Sequence, residues 1–257
     1  MYHFDLNSRD HKLSITLMKM NKENVNLAEI DTVILAGGLG TRLQPVLKDK
    51  PKCLAPINGK PFIDILLDNF IDQGLQRFII CIGYLKEQII EHLSRRNDCE
   101  IVFSVENEPL GTGGALKNAE TYIKSDPFLV MNGDSYTNIN FTSMIVDHIN
   151  SKGLITIGVS KVVDNTDFGV VIFNKSLRIT GFSEKLICTS KYVNAGVYLF
   201  QKELITMMPR KSNFSLEKDV FENIYQSELC YAYNYIDDFV DIGTPDRLDK
   251  VERMRLN

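Results

Sequence analysis

The sequence of 257 residues contains no tryptophan and only four histidines, His3, His11, His92 and His148. None sits in an H-E-x-x-H arrangement or beside cysteines at zinc-ligand spacing, so a zinc centre is not expected. The five cysteines, Cys53, Cys81, Cys99, Cys188 and Cys230, are odd in number, scattered, and nowhere arranged as C-x-x-C. That pattern points to reduced thiols and a cytoplasmic protein rather than a disulfide framework. No apolar run approaches the roughly 18 residues that spanning a bilayer requires. Asp5, Arg9, Asp10 and Lys12 precede any apolar stretch, which is not the order of a secretory signal. Excess charge is also lacking: 29 Lys and Arg against 33 Asp and Glu leave a net charge of -4. Such a balance offers no global field for a polyanion, so neither nucleic acid nor a membrane is an expected partner. A small phosphorylated ligand needs only a few local cations.

What is present is an ordinary globular mixture, 44% hydrophobic and 24% charged, sufficient to bury a core. Residues 1–29 show no sustained periodicity and read as an N-terminal extension; residues 30–257 read as one domain. From Asp31, short β-branched or aromatic runs alternate with segments of helical spacing, the signature of a parallel sheet with covering helices. Strands are expected at residues 32–36, 78–82, 101–105 and 128–131, with helices at 62–71, 86–93, 115–123 and 141–149. Beyond these the texture is richer in strands, at 154–159, 170–173, 179–182 and 193–200, so some antiparallel pairing is expected. A helix over 214–225 capped by Ser215, strands at 229–235 and 239–242, and a last helix opened by Pro245 complete the pattern. The expected fold is α/β: a Rossmann-like, three-layer α/β/α domain around a mixed, mainly parallel sheet.

The first strand runs into Leu35-Ala36-Gly37-Gly38-Leu39-Gly40-Thr41-Arg42-Leu43. Three glycines with an arginine suit a backbone passing close to phosphates, although a plain glycine-rich turn has the same letters. It is not a Walker A loop, because Thr41-Arg42 stand where Lys-Ser/Thr is needed, and Leu43 occupies the third glycine position of a dinucleotide fingerprint. Downstream, Pro51 and Pro56 restrict the backbone around Lys52, making it a held cation.

The loop G-G-x-G-T-R-L, followed by K-P-K-x-x-x-P and G-K-P, resembles the sugar-1-phosphate nucleotidylyltransferases. Later segments match in the same order: Glu108-Pro109-Leu110-Gly111-Thr112-Gly113-Gly114-Ala115, Asn132-Gly133-Asp134, Phe182-Ser183-Glu184-Lys185, Asn194-Ala195-Gly196-Val197-Tyr198, and Asp241-Ile242-Gly243-Thr244-Pro245. Together they cover residues 31 to 250. The resemblance implies an in-line attack of a sugar 1-phosphate oxygen on the α-phosphorus of a nucleoside triphosphate, with pyrophosphate leaving. It places Arg42 and Lys52 on the triphosphate, the backbone of Leu35, Gly37, Gly38, Gly40, Thr41 and Gly111 around the nucleotide, and Lys185 on the phosphate of the sugar substrate. Leu186 stands where the family usually has proline. Asp134 and Asp241 would be joint ligands of Mg2+, and Glu184, Asn194 and Gly169 would meet the sugar hydroxyls.

Aligned on Pro109 and Gly111, Glu106 falls where the family contacts the Watson–Crick edge of the base. A carboxylate only accepts hydrogen bonds, so it matches the N1–H and N2–H donors of guanine and opposes the carbonyls of uracil and thymine. GTP is therefore the expected donor. The segments resemble the short guanylyl members that use D-glycero-D-manno-heptose 1-phosphate, with mannose 1-phosphate as the alternative; a homo-oligomer is compatible with either. Other classes fit less well. A glycosyltransferase would carry Asp-x-Asp where Asn132-Gly133-Asp134 stands, and Tyr198 with Lys202 would need a helix to serve an oxidoreductase. A regulator without activity would have no use for Arg42, Lys52, Asp134, Lys185 and Asp241 together.

Overall fold

The computed structural model describes residues 22–162, 168–183, 191–226, 229–236 and 239–254. The order begins with β1 (Asp31–Leu35), the short helix α1 (Gln44–Leu47), a 3-10 turn over Lys52–Leu54, and the hairpin β2 (Pro56–Ile57) and β3 (Lys60–Pro61). Next come α2 (Phe62–Asp72), β4 (Arg77–Ile82), α3 (Lys86–Leu93), β5 (Glu100–Val105), α4 (Gly111–Asn118), β6 (Phe128–Asn132), β7 (Ser135–Thr137) and α5 (Phe141–Ser151). The second half contains β8 (Ile155–Lys161), β9 (Val170–Phe173), β10 (Ile179–Ser183), β11 (Tyr192–Phe200), α6 (Glu203–Met207), and a π-helical turn over Leu216–Phe221 running into α7 (Glu222–Ile224). It ends with β12 (Cys230–Ile236), β13 (Phe239–Asp241) and α8 (Pro245–Arg253).

Nine strands form one mixed sheet in the order β10-β9-β11-β6-β1-β4-β5, with β8 against β11 and β12 against β8. β6, β1, β4 and β5 run parallel; β11 enters antiparallel to β6 and also pairs β8. β1 is apolar along its middle because both of its faces are covered, Val33 and Ile34 being fully buried on opposite sides. On one side α2 places Phe62, Ile63, Leu66, Leu67 and Phe70 on a single stripe, and Phe70 meets Phe78 and Phe141. On the other side Phe128, Tyr198, Phe200 and Phe221 form an aromatic cluster beneath α4.

One helix start beside the site differs from the sequence expectation. The helix read from Ala115 opens four residues earlier, at Gly111, despite the poor helix propensity of glycine. The amides of Gly113 and Gly114 both donate to Phe214 O, at 2.9 and 3.2 Å. A Cβ on Gly113 would come 2.3 Å from the Phe214 ring, so tertiary packing selects glycine there. Within the expected extension, Leu27 is buried and Val25 packs against the same core. No helix among the described residues is long and apolar enough to cross a membrane.

Candidate active site

The carboxyl ends of β1, β4, β5 and β6 converge, and from β1 the chain proceeds first to β4 on one side and later to β6 on the other. A crevice opens where strand order reverses in such a sheet. Here a cavity of about 390 Å³ lies at that edge, lined by the loop 35–42 and by Lys52, Glu106, Gly111, Asn132, Asp134 and Gly243, among others. Gly133 N donates to Leu35 O at 2.9 Å, Ala36 N to Cys81 O at 2.9 Å and Glu106 N to Ile82 O at 2.7 Å, so each lining segment is tied to a neighbouring strand.

Leu35, Gly37, Gly38, Gly40, Thr41, Arg42, Lys52, Glu106, Gly111 and Asp134, all singled out from sequence, line this one cavity. Gly40 adopts φ +58, a left-handed conformation, and a Cβ there would press on Lys52 Cβ at 3.2 Å. The Lys52 ammonium lies 2.5 Å from Asp134 Oδ2, while Asp134 Oδ1 accepts from the Ser135 hydroxyl at 3.0 Å. Beside them the Cys53 thiol is buried, and burial pushes its pKa up to about 12, so it is not a nucleophile at neutral pH.

Glu106 closes the far end. Its carboxylate is buried, Oε2 accepts from Leu110 N at 3.3 Å, and Oε1 has no hydrogen-bond partner. Burial raises the pKa above the ordinary carboxylate value. A Cβ on Gly37 would come 2.3 Å from Oε1, so the carboxylate rests on the glycine loop itself. An orphaned buried acceptor is costly unless a ligand supplies donors.

Asp241 does not line the cavity directly, but its neighbour Gly243 does. β13 pairs with β7 so that Asp241 faces Ser135, and Ile242 N donates to Asp134 O at 3.0 Å, which carries both aspartates to one corner. Asp241 Oδ1 accepts from Gly243 N at 2.7 Å, and Arg247 pairs with the same carboxylate at 3.1 Å. A Cβ at Gly243 would fall 2.5 Å from Asp241 Oδ1 and 3.3 Å from Arg42 Nη2, so glycine lets the arginine lie beside the aspartate. Sequence reading missed Arg247, whose guanidinium also stacks 4.4 Å over the Phe168 ring. Lying six residues past Asp241 on the amphipathic face of α8, it carried no motif signal.

Asn194 and Gly169 do not line this cavity but meet each other: Asn194 N donates to Gly169 O at 2.8 Å. Gly196, with φ +70, seats against the Asn132 side chain on the cavity wall. Glu184 and Lys185 lie outside the described residues. Tyr198 is on β11, not a helix, and Lys202 Nζ donates to Ile123 O at 2.8 Å, which removes the oxidoreductase reading.

The family model described as nucleotidyl transferase matches residues 31–256, nearly the whole described chain. The chain belongs to the nucleotidyl transferase family. Among relatives of this nucleotidyl transferase, the D-glycero-alpha-D-manno-heptose 1-phosphate guanylyltransferase of Campylobacter jejuni is 32% identical over 84% of the chain and 96% of its own length. The mannose-1-phosphate guanylyltransferase catalytic subunit beta of Drosophila melanogaster is 34% identical over 83% of the chain, but the chain spans only 59% of that longer protein. The crystal structure of HddC from Yersinia pseudotuberculosis complexed with GMP-PN superposes with a TM-score of 0.76 at 34% identity, covering 86% of this chain and 97% of that one.

Proposed function

We propose that this nucleotidyl transferase moves GMP from GTP to D-glycero-D-manno-heptose 1-phosphate, releasing pyrophosphate and forming a nucleotide-activated sugar for surface polysaccharide. The observation that carries the choice of base is the unpartnered, buried Glu106 Oε1 above the glycine loop. Guanine alone among the common bases offers two adjacent N–H donors to a carboxylate, and uracil or thymine would set a carbonyl against it. The heptose assignment is supported by the Campylobacter jejuni relative, whose full length the chain nearly spans. Mannose 1-phosphate is the second reading, supported by the Drosophila melanogaster protein.

In the reaction a phosphate oxygen of the sugar 1-phosphate forms a bond to the α-phosphorus as the bond to the β-phosphate oxygen breaks. The chain supplies position and charge. Arg42 and Lys52 stand where they would hold the triphosphate and stabilise the departing pyrophosphate, and the amides of Gly37, Gly38 and Gly40 follow its path. Lys185 is assigned to the sugar phosphate, and Glu184, Asn194 and Gly169 to the hydroxyls.

Asp134 and Asp241 would hold Mg2+. The donor set fits: two carboxylates at the ends of paired strands, one lining the cavity, offer hard oxygen ligands. Among the described residues no group of three or more potential metal-binding side chains is gathered, so phosphate oxygens and water would complete the coordination. An ion held by Asp134 and Asp241 would supply positive charge to offset the negative charge that develops on the phosphates. The reaction is assigned to the cytoplasm, in keeping with Cys53, Cys81 and Cys99 as free thiols.

The test is thermal unfolding with magnesium and each of GTP, ATP, CTP, UTP and dTTP. Stabilisation by GTP above the others is expected. A larger shift with another base would overturn the role of Glu106, and no shift with any triphosphate would favour a regulator without activity.

A further inference from the structure

Asn194 sits in an irregular stretch of β11, where the register against β8 shifts between Asn194 and Tyr198 and Gly196 takes a left-handed φ. Its side chain is not free to turn. Oδ1 accepts from Gly196 N at 3.0 Å, which fixes which end of the amide is oxygen, and Nδ2 donates to the Tyr198 hydroxyl at 2.8 Å. Tyr198 is fully buried among Phe200 and Phe221. Burial, with the nearby Glu217 carboxylate, holds its phenol pKa well above the ordinary value, so it remains a donor.

The Tyr198 proton points to Glu217 Oε1 in a long hydrogen bond of 3.4 Å. A carboxylate has no hydrogen to give back, so the direction of this bond is set. The tyrosine oxygen is thereby left to accept from Asn194. The other carboxylate oxygen, Glu217 Oε2, accepts from Thr112 Oγ1 at 2.8 Å and from Ser215 Oγ at 2.6 Å. Thr112 lies in the first turn of α4 on the wall of the nucleotide cavity, and its hydroxyl accepts from Leu216 N at 2.9 Å.

We infer that Tyr198 and Glu217 are positioning residues for the sugar substrate: acting through Asn194, they fix its amide with one N–H and one oxygen lone pair left to meet a sugar hydroxyl, and Glu217 ties that setting to Thr112 at the nucleotide. This rests on the proposed function, in which Asn194 faces the sugar. Neither residue touches substrate. A group that both donates and accepts is what a hydroxyl pairs with, and orienting the amide in advance removes part of the ordering cost at binding.

The test is steady-state kinetics of pyrophosphate release by the full chain with GTP and heptose 1-phosphate or mannose 1-phosphate, for the wild type and for Asn194→Ala, Tyr198→Phe and Glu217→Gln. Losing one well-placed hydrogen bond corresponds to about a tenfold change in affinity. Asn194→Ala and Tyr198→Phe should each raise KM for the sugar phosphate by about that factor, with KM for GTP unchanged and kcat moved by less than about twofold. Glu217→Gln should raise both KM values, because it also releases Thr112. Tyr198→Phe replaces one ring by another inside an aromatic cluster, so folding is retained, and Glu217→Gln gives an independent check.

A sugar KM in Tyr198→Phe equal to that of the wild type, while Asn194→Ala raises it, would overturn the inference and leave the proposed function standing. An unchanged sugar KM in Asn194→Ala would also overturn it, because Tyr198 would have nothing to position. Absence of turnover by the wild type with both sugars would overturn the function and the inference together.

Discussion

The Lys52 ammonium and the Asp134 carboxylate face each other at 2.5 Å inside the cavity, brought there from the 3-10 turn after α1 and the turn between β6 and β7. In this pairing each neutralises the other. Under the proposed function a triphosphate would compete for the lysine, and its release would leave the aspartate oxygen to a cation. Asp134→Asn should therefore lower turnover by about a hundredfold or more while circular dichroism and thermal unfolding stay close to wild type. Lys52→Ala should chiefly impair use of the triphosphate. Ample pyrophosphate release by folded Asp134→Asn would contradict the metal assignment.

Glu106 gives a pH signature. Under the proposed function guanine pairs with the ionised carboxylate, whose pKa burial has raised above 4.5. GTP affinity should fall as pH drops through that raised pKa, and GTP binding within the window should release a proton. In the free protein the sign is opposite. The folded state holds more protons than the unfolded one between 4.5 and the raised value, so this group's contribution to stability declines as pH rises through the window. Glu106→Gln should raise the Tm of the free protein at neutral pH and lower the preference for GTP over ATP by about a hundredfold. Calorimetry in two buffers of different ionisation enthalpy reads the proton release.

His148 titrates with the other sign. It is fully buried, with Nδ1 2.8 Å from Thr156 Oγ1 and Nε2 3.1 Å from the Gln201 amide. Burial pushes its pKa down from 6.5 to about 4. Between these values the unfolded chain binds a proton that the folded one does not, so stability is complete above 6.5 and is lost as pH falls toward 4. Tm measured across this range should fall with acidity, and His148→Gln should flatten that fall. A Tm with the same slope in both proteins would assign the loss to other groups.

Gly243 separates Asp241 from Arg42 with no space for a side chain. Gly243→Ala should cut turnover through displacement of these two groups while leaving the ranking of nucleotide bases unchanged. Initial rates with GTP and ATP decide this.

Much of the candidate cavity was legible because its lining comes from short motifs at strand ends and turns. Arg42, Lys52, Glu106 and Asp134 belong to motifs that end strands or open turns, and they line one cavity. Strands and helices with clear periodicity, such as the stripe Phe62, Ile63, Leu66, Leu67 and Phe70, were equally legible. The start of α4 was not, because Gly111, Gly113 and Gly114 are poor helix formers chosen by the close approach of Phe214 to the first two and of Ser212 O to the third. Nor were Glu217 and Arg247. Their importance comes from a hydrogen bond to Tyr198 and an ion pair with Asp241, contacts that exist only once the chain has folded.

The most direct measurement is the product formed from GTP and heptose 1-phosphate with magnesium, followed by mass spectrometry of the nucleotide sugar and by pyrophosphate release, with the other triphosphates in parallel. Guanosine diphosphate heptose with stoichiometric pyrophosphate from GTP, and much less product from ATP, UTP, CTP or dTTP, is the predicted result. A nucleotide sugar formed preferentially from another triphosphate, or none from GTP with either heptose or mannose 1-phosphate, would contradict the account.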